Sequence, residues 1–496
     1  MGSTSAGPAV AGASDSTGAA ADDSRVTRDI WLLAGVIVVG AFMSTLTTTI
    51  VNVALGTLSA ELTASMNAVQ LVATGYLIAL AAAIPLSGWA AKRIGADRLW
   101  LGALAVFTLG SAACAAAGSI HLLIGLRLLQ GLAGGLLVPT GQMMLAAAAG
   151  PKRMGRVMSI VGIPVVLAPV LGPSLGALLL QHLGWQWLFL VNVPFGLVGL
   201  VAGTRLLPRS TPQDAGRLDV PGTVLVALGL PLVTYGVAEI AHLGSFTDPA
   251  GLLPTLTGVL LLALFARHEL RSADPLLDLR LFRNTAFASA CVSTFCLGAA
   301  LFGALIVLPL YYLRVRHESI VTAGLLMAPQ GLGTVLALPL SGRLTDRVGG
   351  GPVILAGLAV ALLGTVPLAV VGSGDDLRYL SAVLVLRGFG IGLATMPAMS
   401  TAYSVIERQQ IQHATPLLNM LQRVGGSFGT AILTVLFQAR ATRLGAPSAA
   451  HLTAAFGYTH WWVVAVTAVA AVPTAVLTRA HRKHRATTAA TAPAPA

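Results

Sequence analysis

The sequence predicts an all-α membrane protein with fourteen spans, and three observations support that class. Of the 496 residues, 55% are hydrophobic and only 10% are charged, whereas soluble domains carry about 25% charged residues. Apolar runs of about 20 residues, enough to cross ~30 Å of hydrocarbon, recur along the chain. The three cysteines, Cys114, Cys291 and Cys296, all lie in such runs and show neither a disulfide framework nor a metal spacing.

The chain begins and ends with segments that are too polar to pack. Residues 1–28 are rich in Ala, Gly, Ser and Thr, so we expect a disordered cytoplasmic tail there and a second one at residues 481–496. The run that starts near Trp31 is too long for a signal-peptide core and lacks a cleavage region, so we interpret it as a retained first span. The predicted spans lie near residues 30–52, 68–90, 99–118, 120–148, 157–180, 187–207, 220–241, 250–266, 285–312, 319–341, 352–372, 379–403, 413–438 and 457–478.

Basic residues orient these spans. With both termini in the cytoplasm, 22 Lys and Arg residues fall on the cytoplasmic side, 5 fall outside and 3 lie within spans. The positive-inside rule predicts such a bias for a cell-membrane protein with both termini in the cytoplasm. The net charge of +12 has the same origin, and no discrete basic domain suggests a nucleic-acid partner.

Arg127 is the most informative residue of the fourth span. A cation in hydrocarbon costs roughly 3 kcal/mol, so it tends to face a protein interior or a wet cavity. Gly131, Gly134 and Gly135 follow it, and small residues let a neighbouring helix approach closely. The combination predicts the wall of a polar cavity in a helix bundle.

The chain also contains an internal repeat. The turn Gly88–Gly95 after the second span is echoed by Gly342–Gly349 after the tenth, with basic residues and glycines at the same spacing. Leu126-Arg127 is echoed by Leu386-Arg387, and glycines follow both pairs. The repeat predicts two six-helix halves, residues 29–207 and 285–480, around a site at the midplane, with a two-helix insertion and cytoplasmic loop at residues 208–284.

Ordered motifs make residues from about Trp31 to Ala480 resemble the major facilitator superfamily, and within it the fourteen-span drug:proton antiporter group (EmrB/QacA type). They are Thr48–Leu55 in the first span, Arg127–Gly131 in the fourth, Ala168–Gly176 in the fifth, Trp185–Gly196 at the start of the sixth, Asp274–Phe282 before the ninth, and Leu417–Asn419 with Val424–Ser427 in the thirteenth. The resemblance implies the major facilitator fold. The chain departs from the family pattern at Thr47, where the family usually has Asp, at Lys92 in place of Asp, at Ala96 in place of a basic residue, and at Gln422 in place of Arg.

The fifth span carries the motif that the resemblance assigns to antiporters. Its prolines remove backbone donors and bend the helix, and its glycines leave a smooth face. These residues are Gly162, Pro164, Pro169, Gly172, Pro173 and Gly176. We interpret the span as a contact over which a neighbouring helix rocks; the alternative is that these residues only optimise packing.

The two repeated turns are interpreted as gates. Asp346 can pair with Arg347 or Arg343, or cap a nearby helix N-terminus, and such a contact can form in one conformation and break in the other. The alternative is a solvated loop charge. The predicted gating residues are Gly88, Arg93, Gly95, Gly342, Asp346, Arg347 and Gly349.

A central cavity is expected between the halves. In the first span Thr48 and Asn52 lie one turn apart with Thr47 beside them, although the threonines can instead bond to their own helix backbone. The predicted lining is Thr47, Thr48, Asn52, Gln130, Asn419 and Arg423. Arg127 and Glu239 are candidates for proton coupling or substrate charge, although Glu239 lies near the outer end of its span and can reach water.

The resemblance implies a secondary active exporter of amphipathic drug-like or natural-product molecules, working by alternating access and proton antiport, as in multidrug efflux. No paired carboxylates, phosphate loop or metal spacing suggests an enzyme or a cofactor. Small amphipathic substrates, protons and the lipid bilayer are the expected partners of a monomer. The alternative is a facilitator or exporter of neutral or anionic metabolites without proton coupling, which Thr47 favours.

The first prediction concerns topology. The loop at Ser245–Asp248 is expected to face outward and the loop at Asp274–Arg280 to face inward, because the basic bias fixes the frame. The variants Ser245→Cys and Ser272→Cys, each on a background without native cysteines, are treated in whole cells with an impermeant thiol reagent. Labelling of Ser245→Cys alone is expected, and labelling of Ser272→Cys alone would contradict the fourteen-span topology.

Overall fold

The computed structural model describes residues 27–150, 153–372, 374–444 and 448–479, with only the backbone of residues 161, 164–166, 169–170, 305–306 and 320. The expected tails at residues 1–26 and 481–496 lie outside the described residues. Arg28, which the sequence placed at the end of the N-terminal tail, is the first residue of a helix.

The N-terminal half is a bundle of helices joined by short turns. Its helices are α1 Arg28–Ile50, α2 Leu55–Glu61, α3 Met66–Ala83, α4 Ser87–Ile94, α5 Ala96–Ala115, α6 Ile120–Ala149, α7 Met154–His182, α8 Trp187–Leu190 and α9 Asn192–Leu206. Short 3₁₀ segments at Val51–Ala54 and Ile84–Leu86 connect α1 to α2 and α3 to α4. The resulting continuous spans are Arg28–Glu61 and Met66–Ile94.

The insertion and the C-terminal half follow in the predicted order. The inserted pair is α10 Val220–Leu243 and α11 Pro249–Glu269, and a 3₁₀ turn at Leu279–Arg283 leads into the second half. That half contains α12 Thr285–Arg314, α13 Ile320–Val348, α14 Gly350–Ala369, α15 Leu377–Ser404, α16 Ile411–Arg443 and α17 Ala449–Val469. The last span continues to Arg479.

The all-helical class is confirmed, and the count of fourteen spans stays a prediction. Among the described residues, 13 helices are long and apolar enough to cross a membrane. Helix α7 occupies the position of the predicted fifth span and is not one of these, and several of its side chains are outside the described residues.

Polar side chains at the loop boundaries explain where several helices begin. Ser65, Ser119 and Ser319 precede α3, α6 and α13, and each accepts a hydrogen bond from a backbone N–H in the first turn. Asp219 and Asp248 do the same for the inserted pair. These N-caps satisfy donors that have no partner inside the helix.

The repeated turns have the same backbone geometry in both halves. Gly95 ends α4 with φ 94° and ψ 137°, and Gly349 ends α13 with φ 88° and ψ 157°. Residues that carry a side chain rarely adopt such positive φ values, so glycine is required at both positions. The predicted internal repeat is therefore present in the backbone.

Glycines also set the tightest helix pairs within each half. A Cβ on Gly131 of α6 would collide with the backbone carbonyl of Tyr76 in α3, and a Cβ on Gly135 would collide with that of Leu80. A Cβ on Gly388 of α15 would likewise collide with the carbonyl of Gln330 in α13. Close approach of this kind places α3 beside α6 and α13 beside α15, and it confirms the packing expected from the glycines after Arg127.

The inserted helices lie against the seam between the halves. Glycines on their facing sides bring α10 and α11 into backbone contact, and α10 also packs on α3 and α16. Helix α11 is the less buried of the pair, since only 17% of the residues in its most apolar stretch are buried in the protein. Its outer face is therefore available to lipid.

Candidate functional site

The two halves are joined at the end of the bundle where α4 and α13 end and α7 begins, which we term the basic end. Oδ1 of Asp346 accepts a hydrogen bond of 2.9 Å from the backbone N–H of Gly155, and Oδ2 pairs with Nε of Arg156 at 2.9 Å. The side chain of Asp346 is 5% exposed and that of Arg156 is 31% exposed. Asp346 thus caps the N-terminus of α7 across the seam.

This arrangement corrects one of the sequence interpretations. Asp346 was expected to pair with Arg343 or Arg347, or to cap a nearby helix. Both arginines are exposed and make no hydrogen bond or ion pair with the described residues, and the cation that Asp346 binds is Arg156 of the opposite half. Of the expected interactions, the structure contains the helix cap.

Glycines make the contact across the seam possible on both sides of the repeat. A Cβ on Gly342 would lie 2.8 Å from Cα of Arg156 and 2.9 Å from the carbonyl oxygen of Gly155. A Cβ on Gly88 would collide with the carbonyl oxygen of Gln412 at the start of α16. The first glycine of each repeated turn is therefore a point of backbone contact between the halves.

Among the residues that the structure describes, the first-half turn has no counterpart of the Asp346 contact. Asp97 is buried, and its Oδ1 accepts a hydrogen bond of 3.1 Å from the backbone N–H of Ser210. The carbonyl of Lys92 accepts from the N–H of Gln213 at 2.9 Å. Both groups hold the segment that leads to α10, while Arg93 is exposed and without a polar partner among the described residues.

A second bridge crosses the seam deeper in the bundle. Nδ2 of Asn419 in α16 donates to Oε1 of Gln142 in α6 at 2.7 Å, and it also donates to the carbonyl of Thr415 at 2.9 Å. Nε2 of Gln142 lies 4.0 Å from the sulfur of Met399 in α15. Sequence reasoning missed Gln142, and the available signal was a second glutamine, after Gln130, in a long apolar helix.

Arg127 is fully buried inside the N-terminal half. Nε donates to the carbonyl of Val72 at 2.9 Å, and Nη1 donates to Oε1 of Gln130 at 2.7 Å. The guanidinium carbon lies 4.2 Å from the centroid of the Tyr76 ring, a cation–π contact. Gln130 in turn donates to Ser111. Arg127 and Gln130 are 0% exposed, so neither lies on an open cavity wall as the sequence suggested.

Arg387 occupies the corresponding position in the second half. It is 2% exposed, donates to Oε1 of Gln330 and reaches the carbonyl of Ala300 at 3.4 Å. His460 of α17, which sequence reasoning did not single out, is also buried and lies close enough to Arg387 to interact electrostatically. Each half therefore holds its arginine with a glutamine and a backbone carbonyl.

The polar side chains of α1 and of the turn after it differ in exposure: some are buried within the N-terminal half and others are exposed. Oγ of Ser44 donates to the carbonyl of Gly134 at 3.1 Å, and the hydroxyl of Tyr76 donates to the carbonyl of Ser44 at 2.9 Å. Thr48 bonds back to the carbonyl of Ser44 at 3.0 Å, as the alternative interpretation allowed. Thr47 is 0% exposed and its hydroxyl lacks a hydrogen-bond partner among the described residues, whereas Asn52 is exposed.

Arg423 is a partly buried cation at the seam. It lies one turn beyond Asn419 on α16 and makes no hydrogen bond or ion pair with the described residues. Tyr76 of the opposite half is close enough to interact with it electrostatically. Arg423 and Arg127 thus approach the same tyrosine, and neither is paired with a carboxylate among the described residues.

Helix α7 runs between α1 and α13. A Cβ on Gly162 would meet Met396 and Leu338 of the second half, and a Cβ on Gly172 would collide with the hydroxyl of Thr49. Gly176 packs against Ile50, and Pro173 is half-buried. The side chain of Pro169 is outside the described residues. The glycines of the predicted antiporter segment are therefore contact points on both sides of the helix.

Glu239 is separate from this arrangement. It is half-exposed near the end of α10 and makes no hydrogen bond or ion pair with the described residues. The structure does not bring it together with Arg127, and the alternative that it reaches water agrees with its exposure.

The fold and these seam contacts can be set against known proteins. Residues 37–430 match the family described as the Major Facilitator Superfamily. The chain belongs to this superfamily. Its family and fold are those of membrane transporters, not of enzymes, so the protein is a multi-pass membrane transporter.

Relatives within the superfamily have names related to drug resistance. The chain is 41% identical over 413 residues to a multidrug resistance protein B homolog of Mycobacterium tuberculosis (strain ATCC 25618 / H37Rv), covering 82% of this chain and 76% of the relative. It is 32% identical to a putative multidrug resistance protein MdtD of Salmonella paratyphi A (strain ATCC 9150 / SARB42), covering 82% and 85%. These relatives support a drug transporter of the superfamily.

Solved structures confirm the superfamily fold. The human organic anion transporter MFSD10 (TETRAN) superposes with a TM-score of 0.63 at 15% identity, over 91% of this chain and 100% of that chain. The proton:xylose symporter XylE superposes with a TM-score of 0.62 at 14% identity, over 89% and 94%. At these identities the likeness concerns the fold alone.

The second prediction tests the seam contact. Asp346→Asn removes the ion pair with Arg156 and weakens the cap on α7, and charge-assisted bonds contribute about 1.5–3 kcal/mol each. The basic end should therefore open more often, and labelling of Ser159→Cys, a position that is 3% exposed, should become about tenfold faster. The rate is measured with a thiol reagent in inverted vesicles on a background without native cysteines.

Arg347→Gln provides the matched control, because it removes an exposed neighbouring charge without a partner. An equal increase in labelling for Arg347→Gln, or no increase for Asp346→Asn, would show that the Asp346 contact does not keep the seam closed.

Proposed function

We propose that the protein is an exporter of amphipathic drug-like or natural-product molecules that works by alternating access in the cell membrane, with both termini in the cytoplasm. The ordered sequence motifs favour the fourteen-span drug:proton antiporter group (EmrB/QacA type). The names of the Mycobacterium and Salmonella relatives support drug efflux. The proposed unit is a monomer in the lipid bilayer.

One observation carries the proposal: polar bridges join the halves at the basic end and deeper in the bundle, and beyond them lies a cation with no polar partner among the described residues. Asp346 and Asn419 each bind a residue of the opposite half. Arg423, one turn past Asn419, is partly buried and has no polar partner among the described residues. A cation without a polar partner, located beyond the contacts that close one end of the bundle, is the arrangement expected of a substrate site that opens to one side at a time.

Alternating access follows from the type of contact at the seam. One polar bridge lies at the basic end and the other lies deeper, between α6 and α16, so a rotation of one half relative to the other breaks both. Gly162 and Gly342 let α7 and α13 approach closely, which favours sliding over separation. The contacts are stable in the closed form and exchange for water when the basic end opens.

The electrostatics favour neutral or anionic substrates. Arg127 and Arg423 both approach Tyr76, and the carboxylate that the family pattern usually has in the first span is replaced here by Thr47. Charges in a low-dielectric interior are weakly screened by salt. An amphipathic compound with a carboxylate or a neutral polar group should therefore bind better than a lipophilic cation.

Proton coupling is proposed on the resemblance to drug:proton antiporters. The second candidate is a facilitator or exporter of neutral or anionic metabolites without proton coupling. Thr47 favours this alternative, because a buried carboxylate is the usual proton carrier in such a cavity. The two mechanisms differ in whether a proton gradient drives export against a concentration gradient.

The third prediction tests export itself. Inverted vesicles that contain the protein should accumulate an acidic amphipathic dye, and a protonophore should abolish accumulation if transport is proton-coupled. Arg127→Ala should lose transport while the protein remains inserted, because Gln130 and the carbonyl of Val72 lose their donor. Arg127→Lys should retain part of the activity, since lysine lacks the planar fork that reaches both groups.

Full transport by Arg127→Ala, with normal insertion, would show that the buried arginine is not needed for transport. Absence of dye accumulation by the wild type over a panel of neutral, acidic and cationic compounds would contradict the export function. Accumulation that only equilibrates the dye and ignores the protonophore would select the facilitator.

The fourth prediction concerns Thr47. Thr47→Asp introduces a carboxylate one turn from Ser44 on the buried face of α1, where it can neutralise the nearby cations or take up a proton. Export of acidic dyes should fall several-fold and some export of cationic dyes should appear. The measurement compares matched acidic and cationic dyes in vesicles.

Thr47→Asn is the control, because it has nearly the size and polarity of the aspartate without its charge. If Thr47→Asn changes the preference as much as Thr47→Asp, polarity or size is responsible instead of charge. If the wild type already prefers the cationic dye, the electrostatic argument is wrong.

A further inference from the structure

A cavity of about 830 Å³ lies between the inserted helix pair and the second half, apart from the seam described above. Leu230 of α10, Leu262 and Phe265 of α11, and Leu417 and Val424 of α16 form its apolar walls. The turn at Leu279–Arg283 closes the end where the helices meet the loop. The cavity is thus a deep apolar slot with one polar end.

The depth of the slot matches one leaflet of a membrane. Leu230 lies ten residues from the start of α10 at Val220, and Val424 lies thirteen residues from the start of α16 at Ile411. At 1.5 Å per residue these positions are about 15 Å and about 20 Å from the helix ends. Because the hydrocarbon core is ~30 Å thick, the slot reaches about half way across it.

Two arginines stand at the polar end. Arg280 and Arg283 line the cavity and are exposed. Nη2 of Arg280 donates to the carbonyl of Ser272 at 3.2 Å, and Arg283 makes no hydrogen bond or ion pair with the described residues. The nearby carboxylate of Asp278 accepts from the backbone N–H of Arg280 at 3.0 Å and serves as a helix cap. The guanidinium groups therefore keep most of their donors free.

The mouth of the slot also has the chemistry of a membrane interface. Leu270 and Phe282 line it and are 53% and 37% exposed. Apolar side chains beside arginines are typical of the headgroup level, where the long side chains reach the polar region. The surrounding solvent at this depth is lipid, and the adjoining face of α11 is largely uncovered.

We propose that this slot binds an anionic phospholipid, with an acyl chain between α10, α11 and α16 and the phosphate at Arg280 and Arg283. Arginine donates two parallel hydrogen bonds to phosphate, and each is stronger than a neutral hydrogen bond. The apolar walls accept a chain one leaflet long, and the two cations select a net negative headgroup over a zwitterionic one. Length and charge complementarity together identify the occupant.

The bound lipid supports the helix that carries the seam residues. Leu417 and Val424 of α16 face the slot, whereas Asn419 on the same stretch bonds to Gln142 across the seam. An acyl chain therefore packs against the face of α16 opposite to the bridge between the halves. Occupancy of the slot stabilises the position of α16 relative to the inserted pair.

The fifth prediction tests lipid binding on the full-length protein. Native mass spectrometry and thermal melting are carried out in detergent with added phosphatidylglycerol or phosphatidylcholine. The wild type should retain phosphatidylglycerol and melt several degrees higher with it than with phosphatidylcholine. The double variant Arg280→Gln with Arg283→Gln should bind phosphatidylglycerol about tenfold more weakly, the loss expected from one or two charge-assisted hydrogen bonds.

The matched control is Arg267→Gln with Arg271→Gln, which removes two exposed charges near the same loop that do not line the slot. This variant should keep the preference for phosphatidylglycerol. Leu262→Trp should displace the acyl chain and lower the retention of phosphatidylglycerol while Arg280 and Arg283 remain. Melting in phosphatidylcholine shows whether each variant is folded.

Equal retention of both lipids by the wild type, or an equal loss for the control pair, would overturn the proposal. Unchanged lipid retention by the Arg280 and Arg283 variant together with loss of dye transport would also overturn it, and would assign the slot to the transported compound. Because the binding assay needs no transport, failure of the export function leaves this test unaffected.

Discussion

The carboxylate of Asp346 is bound across the seam by the first turn of α7, and this contact joins the two halves at the basic end. A helix N-terminus has unpaired N–H groups and the positive end of the helix dipole, so a carboxylate there satisfies both. Arg156 adds a cation from the same turn. The contact requires backbone proximity, which Gly342 provides. Further inside, Gln142 of α6 and Asn419 of α16 form the second bridge between the halves.

The two buried arginines hold together helices within each half. Arg127 joins α6 to the backbone of α3, and Arg387 joins α15 to Gln330 of α13. Carbonyl and amide oxygens offset part of the desolvation of each cation, since Nη2 of Arg127 and Nε of Arg387 have no hydrogen-bond partner among the described residues. Within the described residues neither is neutralised by a carboxylate. These bonds tie helices of the same half together, and each half keeps a positive charge in its interior.

Helix α16 connects three regions of the molecule. Asn419 bridges the seam, Arg423 lies beyond it, and Leu417 and Val424 line the slot beside the inserted pair. Asn419 and Arg423 are four residues apart and share one face of the helix, and Leu417 and Val424 lie on the opposite face. The inserted helix α10 packs on α16 and also on α3 of the opposite half.

The sequence by itself determined the helical class, the order of the elements and the family, because apolar length, turn glycines and ordered motifs are local properties. It also selected Asp346, Asn419 and Arg127 as polar groups worth attention. The tertiary structure decided their partners, since these lie far away in sequence: Arg156 is 190 residues from Asp346, and Gln142 is 277 residues from Asn419. It also decided that Arg127 faces the interior of its half instead of a cavity wall. The reason is physical: the rotation of a helix about its axis is set by the neighbours it packs against, and a motif within one helix does not specify that rotation.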